Sequence, residues 1–467
     1  MKGLDTLTYN SARELITTTS LNDNNIGQIE KAAEVFKNGT DEDLYYMIKM
    51  NILTSLNTSD KSKAIDYGRF QLKELESSKT PHSKLIRISF LTELRLPYRN
   101  SDRLPEGFQF YAENLNRYKK NNDSAFIATC YYVLGGFYRT TGLMDLAIYN
   151  MKKSVSYLDT IQTAEKNFFN LPANLGWARR INNASVVAEY YLQKGDLQAS
   201  VNYSYSTLKS IQNYYNKDEK NKKSAQRLTF SARSLAMAKT LLNQTDSVEY
   251  FLTLAESSLK DPPQYTGIAY ILQLRALYKM QIGSLSEADS LIQQCWQLID
   301  KHTIGVNTFA GIIAPDYYLA LVRIKQSRYM DAINLLQKDI IRLNNIRLDV
   351  LRDYKLLAEL YEKIGDDKNA KNTYKLYIDL NNTILSDQDK YRTISFETEQ
   401  MMNEKELSIA KLESQNKISS LSRNFSIGIA ILLLLIVAGV YNRFKTKKKA
   451  NLVLEKTLSN LKSTQTQ

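Results

Sequence analysis

The run Phe425 to Tyr441, FSIGIAILLLLIVAGVY, constrains this chain more than any other stretch. It has no charged residue, and before its closing Tyr441 the one polar side chain is Ser426. As a helix rising 1.5 Å per residue it is about 26 Å long, close to the roughly 30 Å hydrocarbon core of a bilayer. A core helix of a globular domain carries one apolar stripe, whereas this run is apolar all round and is followed by a basic cluster. The sequence therefore predicts a transmembrane helix over 425–441.

The flanks set an expected orientation. Residues 442–449 hold Arg443, Lys445, Lys447, Lys448 and Lys449, whereas 417–424 hold only Lys417 and Arg423. Basic residues gather on the cytoplasmic side of a span, so 1–424 is expected outside and 442–467 inside. A domain of that size crosses a membrane only with an export signal, and MKGLDTLTYNSARELITTTS has no apolar h-region. The orientation thus expects a signal removed ahead of Met1; the competing reading is a cytoplasmic domain with a tail anchor.

Charge follows the same division. Of the formal net charge of +13, residues 442–467 contribute +6, the apolar run nothing and residues 1–424 the remaining +7. The basic excess sits where an anionic leaflet would meet it. No block interleaves basic and aromatic residues as a nucleic-acid surface does, so no direct nucleic-acid contact is expected.

Residues 11–385 read as helix after helix. Apolar residues recur at spacings of three and four, no run alternates as a strand would, and the breaks are short and polar. Only 7 Pro and 17 Gly fit this pattern. Expected helices are 26–37, 41–56, 61–76, 83–96 (stopped at Pro97) and 105–119. From 124 the spacing sharpens. YVLGGFYRTTGLMDLAIYNMKKS places Leu134, Gly135, Tyr138, Gly142, Ala147 and Met151 so that Gly135 and Ala147 let two antiparallel helices approach, Tyr138 fills the space beside them and Gly142 turns the chain. VVAEYYLQKGDLQAS repeats this with Ala188, Tyr191, Gly195 and Ser200. Residues 229–260 read as a degenerate pair. ALYKMQIGSLSEADSL gives Ala276, Gly283 and Ala288, and YLALVRIKQSRYMDAINLL gives Ala320 and Ala332 with Ser327 at the turn. LLAELYEKIGDDKNAKNTYKLY gives Leu357, Ala358, Tyr361, Gly365, Ala370, Tyr374 and Tyr377.

These stretches resemble the tetratricopeptide repeat (TPR), in which Leu, Gly, Tyr, a turn Gly, Ala and a large apolar residue fall at such intervals. The resemblance implies an all-α solenoid of helical hairpins over 1–385, with a concave surface for a protein or peptide partner. The family period is 34, whereas Ala147 to Ser200 is 53 residues, Ala288 to Ala332 is 44 and Ala332 to Ala370 is 38. Longer helices or loops than standard are expected. All the repeat residues named are packing residues.

Residues 386–424 lack Pro and Gly and are rich in Glu, Lys and Gln, which predicts a helical stalk, with Met402, Ile409 and Leu412 as a coiled-coil seam interrupted at Asn416. Beyond the basic cluster, Leu454, Leu458 and Leu461 keep a seam spacing, which predicts the start of a cytoplasmic coiled coil over 442–467 and a homodimer. In this order the chain resembles the sensor half of bacterial histidine kinases with extracytoplasmic TPR repeats. The resemblance implies an inner-membrane, single-pass, two-component sensor with a periplasmic repeat domain. The chain has no phospho-accepting His in its last helix and no Gly-rich nucleotide boxes; His82 and His302 lie in the repeats. Related proteins carry a helix-turn-helix output instead. A membrane-tethered TPR scaffold for envelope proteins is the alternative without signalling.

No catalytic set, phosphate loop or metal-ligand spacing is present, so no catalytic residue, cofactor or metal site is expected. Cys130 and Cys295 are expected as small buried residues rather than a disulfide.

Overall fold

The chain is described here by a computed structural model that covers residues 25–37, 42–77, 83–159, 175–215, 222–260, 263–308, 311–343 and 346–465. His82 lies outside the described residues. The architecture is all-α. Contacts divide the chain into two units, Met1–Thr398 and Glu399–Gln467.

The helices of the first unit are α1 (Ile26–Lys37), α2 (Glu42–Ser59), α3 (Lys61–Ser77), α4 (Ser83–Glu93), α5 (Arg95–Arg99), α6 (Leu104–Lys120), α7 (Ser124–Thr140), α8 (Met144–Leu158), α9 (Leu175–Lys194), α10 (Leu197–Tyr215), α11 (Lys222–Leu241), α12 (Val248–Ser257), α13 (Tyr265–Gln281), α14 (Leu285–His302), α15 (Pro315–Lys325), α16 (Tyr329–Leu343) and α17 (Arg347–Lys363). The last helix, α18 (Asp367–Gln465), starts in this unit. Successive helices pack on one another.

One local rule builds the hairpins. At the turn a single residue takes the left-handed backbone: Gly142, Gly195, Asn243, Gly283, Ser327 or Gly365. Its N–H donates to the carbonyl three residues back and the next N–H to the carbonyl five back, as in Gly142 to Arg139 and Leu143 to Tyr138. This is the Schellman end, which satisfies carbonyls that a helix terminus leaves open. Seven residues before each turn stands a small residue, Gly135, Ala188, Ala236, Ala276, Ala320 or Ala358. Five residues after it stands Ala147, Ser200, Val248, Ala288, Ala332 or Ala370. The two positions meet at the helix crossing. A Cβ on Gly135 would lie 3.2 Å from the Ala147 carbonyl oxygen, and the Ser200 hydroxyl donates to the Ala188 carbonyl at 2.8 Å. The same turn occurs at Asn122, between α6 and α7.

Two expectations are corrected. The helix expected to stop at Pro97 breaks at Leu94 instead, and Pro97 sits in the first turn of α5, where a missing N–H costs nothing. The connection from α14 to α15 holds a two-residue antiparallel ladder, β1 (Asn307–Thr308) with β2 (Gly311–Ile312), pairing Asn307 with Ile312 and Thr308 with Gly311. It is too short for any alternation to show in the sequence.

The largest core lies at the N-terminal end and is aromatic. Phe36, Phe90, Tyr98, Phe108, Tyr111 and Phe137 are fully or almost fully buried, with Phe108 and Phe137 edge-on at 5.4 Å. The Tyr111 hydroxyl donates to the Leu91 carbonyl at 2.5 Å, which satisfies its one polar atom. Cys130 and Cys295 are free thiols in separate buried places.

The opening of α18 also packs on this core. Tyr391 lies 6.0 Å from the Phe108 ring, the Tyr138 hydroxyl bonds to Ser395, the Gln388 amide donates to the Gly142 carbonyl at 3.3 Å, and Asp387 pairs with Arg347. The final helix thereby touches α7 and its turn, far back along the chain.

The second unit is the remainder of α18. The helix begins at Asp367, ahead of the stalk expected from 386, because no Pro and only Gly428 and Gly439 interrupt 367–465. Within it, Ser414–Asn460 contains a window long and apolar enough to cross a membrane, with no part of that window buried. Leu434 and Leu435 are 69% and 65% exposed. A contiguous apolar surface of this size calls for cover.

Gly142 and Gly365 make a matched test of the α18 contact. Both have left-handed backbone, at φ +80° and +76°, but a Cβ at Gly142 meets Gln388 whereas one at Gly365 meets nothing. Gly365→Ala should cost about 1–2 kcal/mol from backbone strain, and Gly142→Ala about 1 kcal/mol more through the displaced Gln388 hydrogen bond. Urea unfolding midpoints measure both; equal losses would mean that Gln388 contributes nothing there.

Candidate functional site

The turn rule fixes which face each first helix turns to its hairpin partner, and leaves another face for a shared inner surface. The first helices α5, α7, α9, α11, α13, α15 and α17 contact one another in series along that face. Guanidinium groups lie over tyrosine rings along it: Arg95 over Tyr132 at 5.1 Å, Arg139 over Tyr190 at 5.7 Å, Arg233 over Tyr270 at 4.7 Å and Arg352 over Tyr317 at 3.5 Å. These contacts join α5 to α7, α7 to α9, α11 to α13 and α15 to α17. Arg139 on α7 acts on Tyr190 of α9, Tyr270 of α13 and Asp349 of α17. Burial raises the Asp349 carboxyl, against the pull of Arg352 and Arg139.

The C-terminal end of the surface is acidic and crowded. Asp339 and Asp353 are fully buried, and Asp316 is nearly so. Arg352 Nη2 lies 2.7 Å from Asp353 and 3.9 Å from Asp339, and Arg342 Nη2 lies 3.7 Å from Asp339. The Arg342 guanidinium stacks 4.9 Å from the Trp296 ring. Both Asp339 carboxylate oxygens lack a hydrogen-bond donor, so its ion pairs are loose. Burial and the neighbouring Asp353 push the Asp339 carboxyl well above the usual carboxylate range, and burial pushes Asp316 up to about 6. Such a cluster joins α15, α16 and α17. Among the described residues no group of three His, Cys, Asp or Glu is placed to hold a metal ion.

A cleft of about 380 Å³ lies between α3, α4 and α6, lined by Arg69, Phe70, Glu76, Phe110 and Arg117 among others. Its charges answer one another. Arg117 lies 2.5 Å from Glu76, and Arg69 pairs with Glu106 at its edge. The inner surface differs, because Arg95, Arg99, Arg139 and Arg233 form no ion pair with any described carboxylate.

The residues singled out in the sequence occupy other places. Leu134, Gly135, Tyr138, Ala147, Ala188, Ala276, Ala288, Ala320, Ala332, Leu357, Ala358, Tyr361 and Ala370 are buried, and Gly142, Gly195, Gly283 and Gly365 form turns. Tyr191 is half-buried against Tyr203 at 5.5 Å. Arg443, Lys445, Lys447, Lys448, Lys449, Leu454 and Leu458 are exposed along α18. The Leu461 side chain lies outside the described residues, as do those of Met402 and Ile409. His302 stacks on Tyr265 at 3.6 Å. The inner-surface arginines escaped the sequence reading. Arg95 and Arg99, four apart, were the available signal, but whether a cation has a partner depends on helices distant in sequence.

No protein-family model matches the chain, and no curated protein matches it in sequence. Solved structures similar to it include a Rap protein complexed with competence and sporulation factor, at 14% identity and TM-score 0.44 over 74% of this chain and 99% of that one. The apo form of the quorum sensor NprR from B. thuringiensis is similar at 15% identity and TM-score 0.47, over 80% and 97%. The TPR-like repeats of a putative kinesin light chain from Podospora anserina are similar at 18% identity and TM-score 0.32, over 43% and 94%.

The acidic cluster makes stability depend on pH. Asp316 and Asp339 hold protons in the folded chain that they release when unfolded, so the folded state binds more protons above the ordinary carboxylate pKa. Their contribution is full below about pH 4 and is lost as pH rises through about 6 and above. Asp339→Asn keeps a hydrogen-bonding side chain without the charge. It should raise stability at pH 8 by about 1–2 kcal/mol and leave it nearly unchanged at pH 4. Urea titrations at the two pH values measure this; a loss at pH 8 would show the charged form to be the stabilising one.

Proposed function

We propose that this chain is a membrane-anchored receptor whose repeats bind an extended peptide, or a peptide segment of a protein, on the inner surface, and that α18 carries the response across a membrane. The observation that carries the reading is the inner surface itself: tyrosines and unpaired arginines from successive first helices addressing one space. Tyrosine offers rigid apolar area with a polar tip, and an unpaired guanidinium offers a fork of donors, which together suit a peptide backbone and its side chains.

The relay is supported by neighbours in sequence. Arg139 lines the surface, and the adjacent Tyr138 bonds to Ser395 of α18. Occupation of the surface shifts α7, and α18 is the covalent path from that contact to the apolar run. Such coupling needs two arrangements that the ligand binds with different affinity. The flanking charges favour an orientation with the repeats outside and Arg443 to Lys449 in the cytoplasm, in the manner of a two-component sensor. The seam through Leu454 and Leu458 favours a homodimer, which would start a coiled coil inside the membrane.

A cysteine at Leu454 reads both dimer and relay. In the full chain in lipid nanodiscs, Leu454→Cys should cross-link between protomers, and a random pentapeptide pool should change the rate several-fold. Two glycines inserted after Ser420 should abolish that change while peptide retention persists. A cross-linking rate indifferent to peptides that are retained would contradict the relay; absence of a cross-linked dimer would contradict the paired arrangement.

A further inference from the structure

The two seam stretches of α18 keep one phase. Met402, Ile409, Leu412 and Asn416 precede the apolar run, and Leu454, Leu458 and Leu461 follow it. Leu454 lies 42 residues after Leu412, and Leu458 lies 49 after Ile409, which are six and seven whole heptads. The helix is unbroken between them. Counted through the apolar run, the same two heptad positions fall on Ser426, Ala430, Leu433, Val437, Val440 and Phe444. All six are exposed, as are Leu412, Leu454 and Leu458.

This face suits close contact with another helix. Ser426 and Ala430 are small and four apart, which lets two backbones approach in a bilayer. The Ser426 hydroxyl donates to the Ser422 carbonyl at 3.0 Å, so it brings no open donor to an apolar contact. Leu433, Val437 and Val440 then supply branched side chains. Arg423 and Lys447 fall on the same line at the two ends of the run. Their long stems carry the charge out to headgroup water.

Polar residues in the seam select the partner. Asn416 and Asn451 are 35 residues apart, five whole heptads, and hold the same heptad position on either side of the run. Both are exposed. A seam Asn costs stability unless a like group faces it, and two identical chains, parallel and in register, bring Asn to Asn at both places. Supercoiling is required as well. A straight helix drifts about 20° per heptad from a 3.5-residue repeat, and so about 120° between Leu412 and Leu454. The two leucines share a line only where the helices wind left-handed about each other, apolar run included.

We propose that a second copy of this chain covers the face, and that the two apolar runs pack through Ser426, Ala430, Leu433, Val437 and Val440 in one left-handed supercoil that keeps its phase from the stalk to the cytoplasmic seam. The inference rests on the membrane-anchored, paired reading above and assigns the contact inside the bilayer. A pair built this way turns as a unit, so a rotation imposed at the stalk reappears at Leu454 with no joint to absorb it.

The test is a cysteine scan of the apolar run in the full chain in nanodiscs, with copper–phenanthroline as oxidant. The unsubstituted chain, whose Cys130 and Cys295 are buried, sets the background. Ala430→Cys, Leu433→Cys and Val437→Cys should form disulfide-linked dimers several-fold faster than Ile431→Cys, Leu435→Cys and Ala438→Cys. Two alanines inserted after Asn442 should slow cross-linking of the Leu454→Cys chain several-fold, and seven should leave it unchanged. Cross-linking that is even around the helix, that peaks on another face or that is absent from the run while Leu454→Cys still cross-links would overturn this inference and leave the paired reading in place. A two-alanine insertion without effect would also overturn it, by showing that the seams pair independently. No cross-link in the run or at Leu454 would overturn both.

Discussion

The rest of the structure depends on a close crossing between two helices, made possible by a small residue seven before a left-handed turn and, except for Val248, by Ala or Ser five after it. At Gly135 and Ala147 the crossing is tight enough that one added methyl would press on a backbone carbonyl. Overpacking of this kind costs about 1–3 kcal/mol. The turn position therefore sets the register of its hairpin, and the register decides which residues each first helix turns inward. Helix lengths and connections vary between hairpins, and the turns still carry the same pair of hydrogen bonds.

An inner surface follows from that repetition, and its two ends differ. Toward α17 buried acids meet half-buried arginines and are answered in part, as Asp353 is by Arg352. Toward α5 and α7 the arginines stand over tyrosines without acids. Cation–ring contacts contribute about 0.5–2 kcal/mol each, less than a buried guanidinium loses in hydration. Arg139, in this part of the array, lies next to the contact between Tyr138 and Ser395.

Much of this is legible in the sequence. The apolar run stands out, and Gly142, Gly195, Gly283 and Gly365 mark four turns because glycine tolerates positive φ. Ser327 was legible only from the alanines around it. Asn243, with Ala236 before it and Val248 after it, forms the same turn in a stretch that reads as degenerate, because asparagine also tolerates the left-handed region. The path of α18 back to Phe108 and Gly142 was not legible, since it depends on how successive hairpins rotate, which no single hairpin encodes. For the same reason the unpaired state of Arg95, Arg99 and Arg139 could not be read: a missing partner is a property of the assembled array. Continuity of α18 from Asp367 was hidden by the repeat pattern, which suggests an end to the last hairpin where the helix has none.

The account joins two claims, that a peptide occupies the inner surface and that α18 responds at its contact with α7. Hydrogen–deuterium exchange of the full chain in nanodiscs, with and without a retained pentapeptide, reads both at once. The account predicts added protection in α7 and α9 and altered exchange around Gln388 to Ser395. Protection confined to the cleft lined by Arg69, Phe70 and Arg117, with 388–395 unchanged, would contradict it.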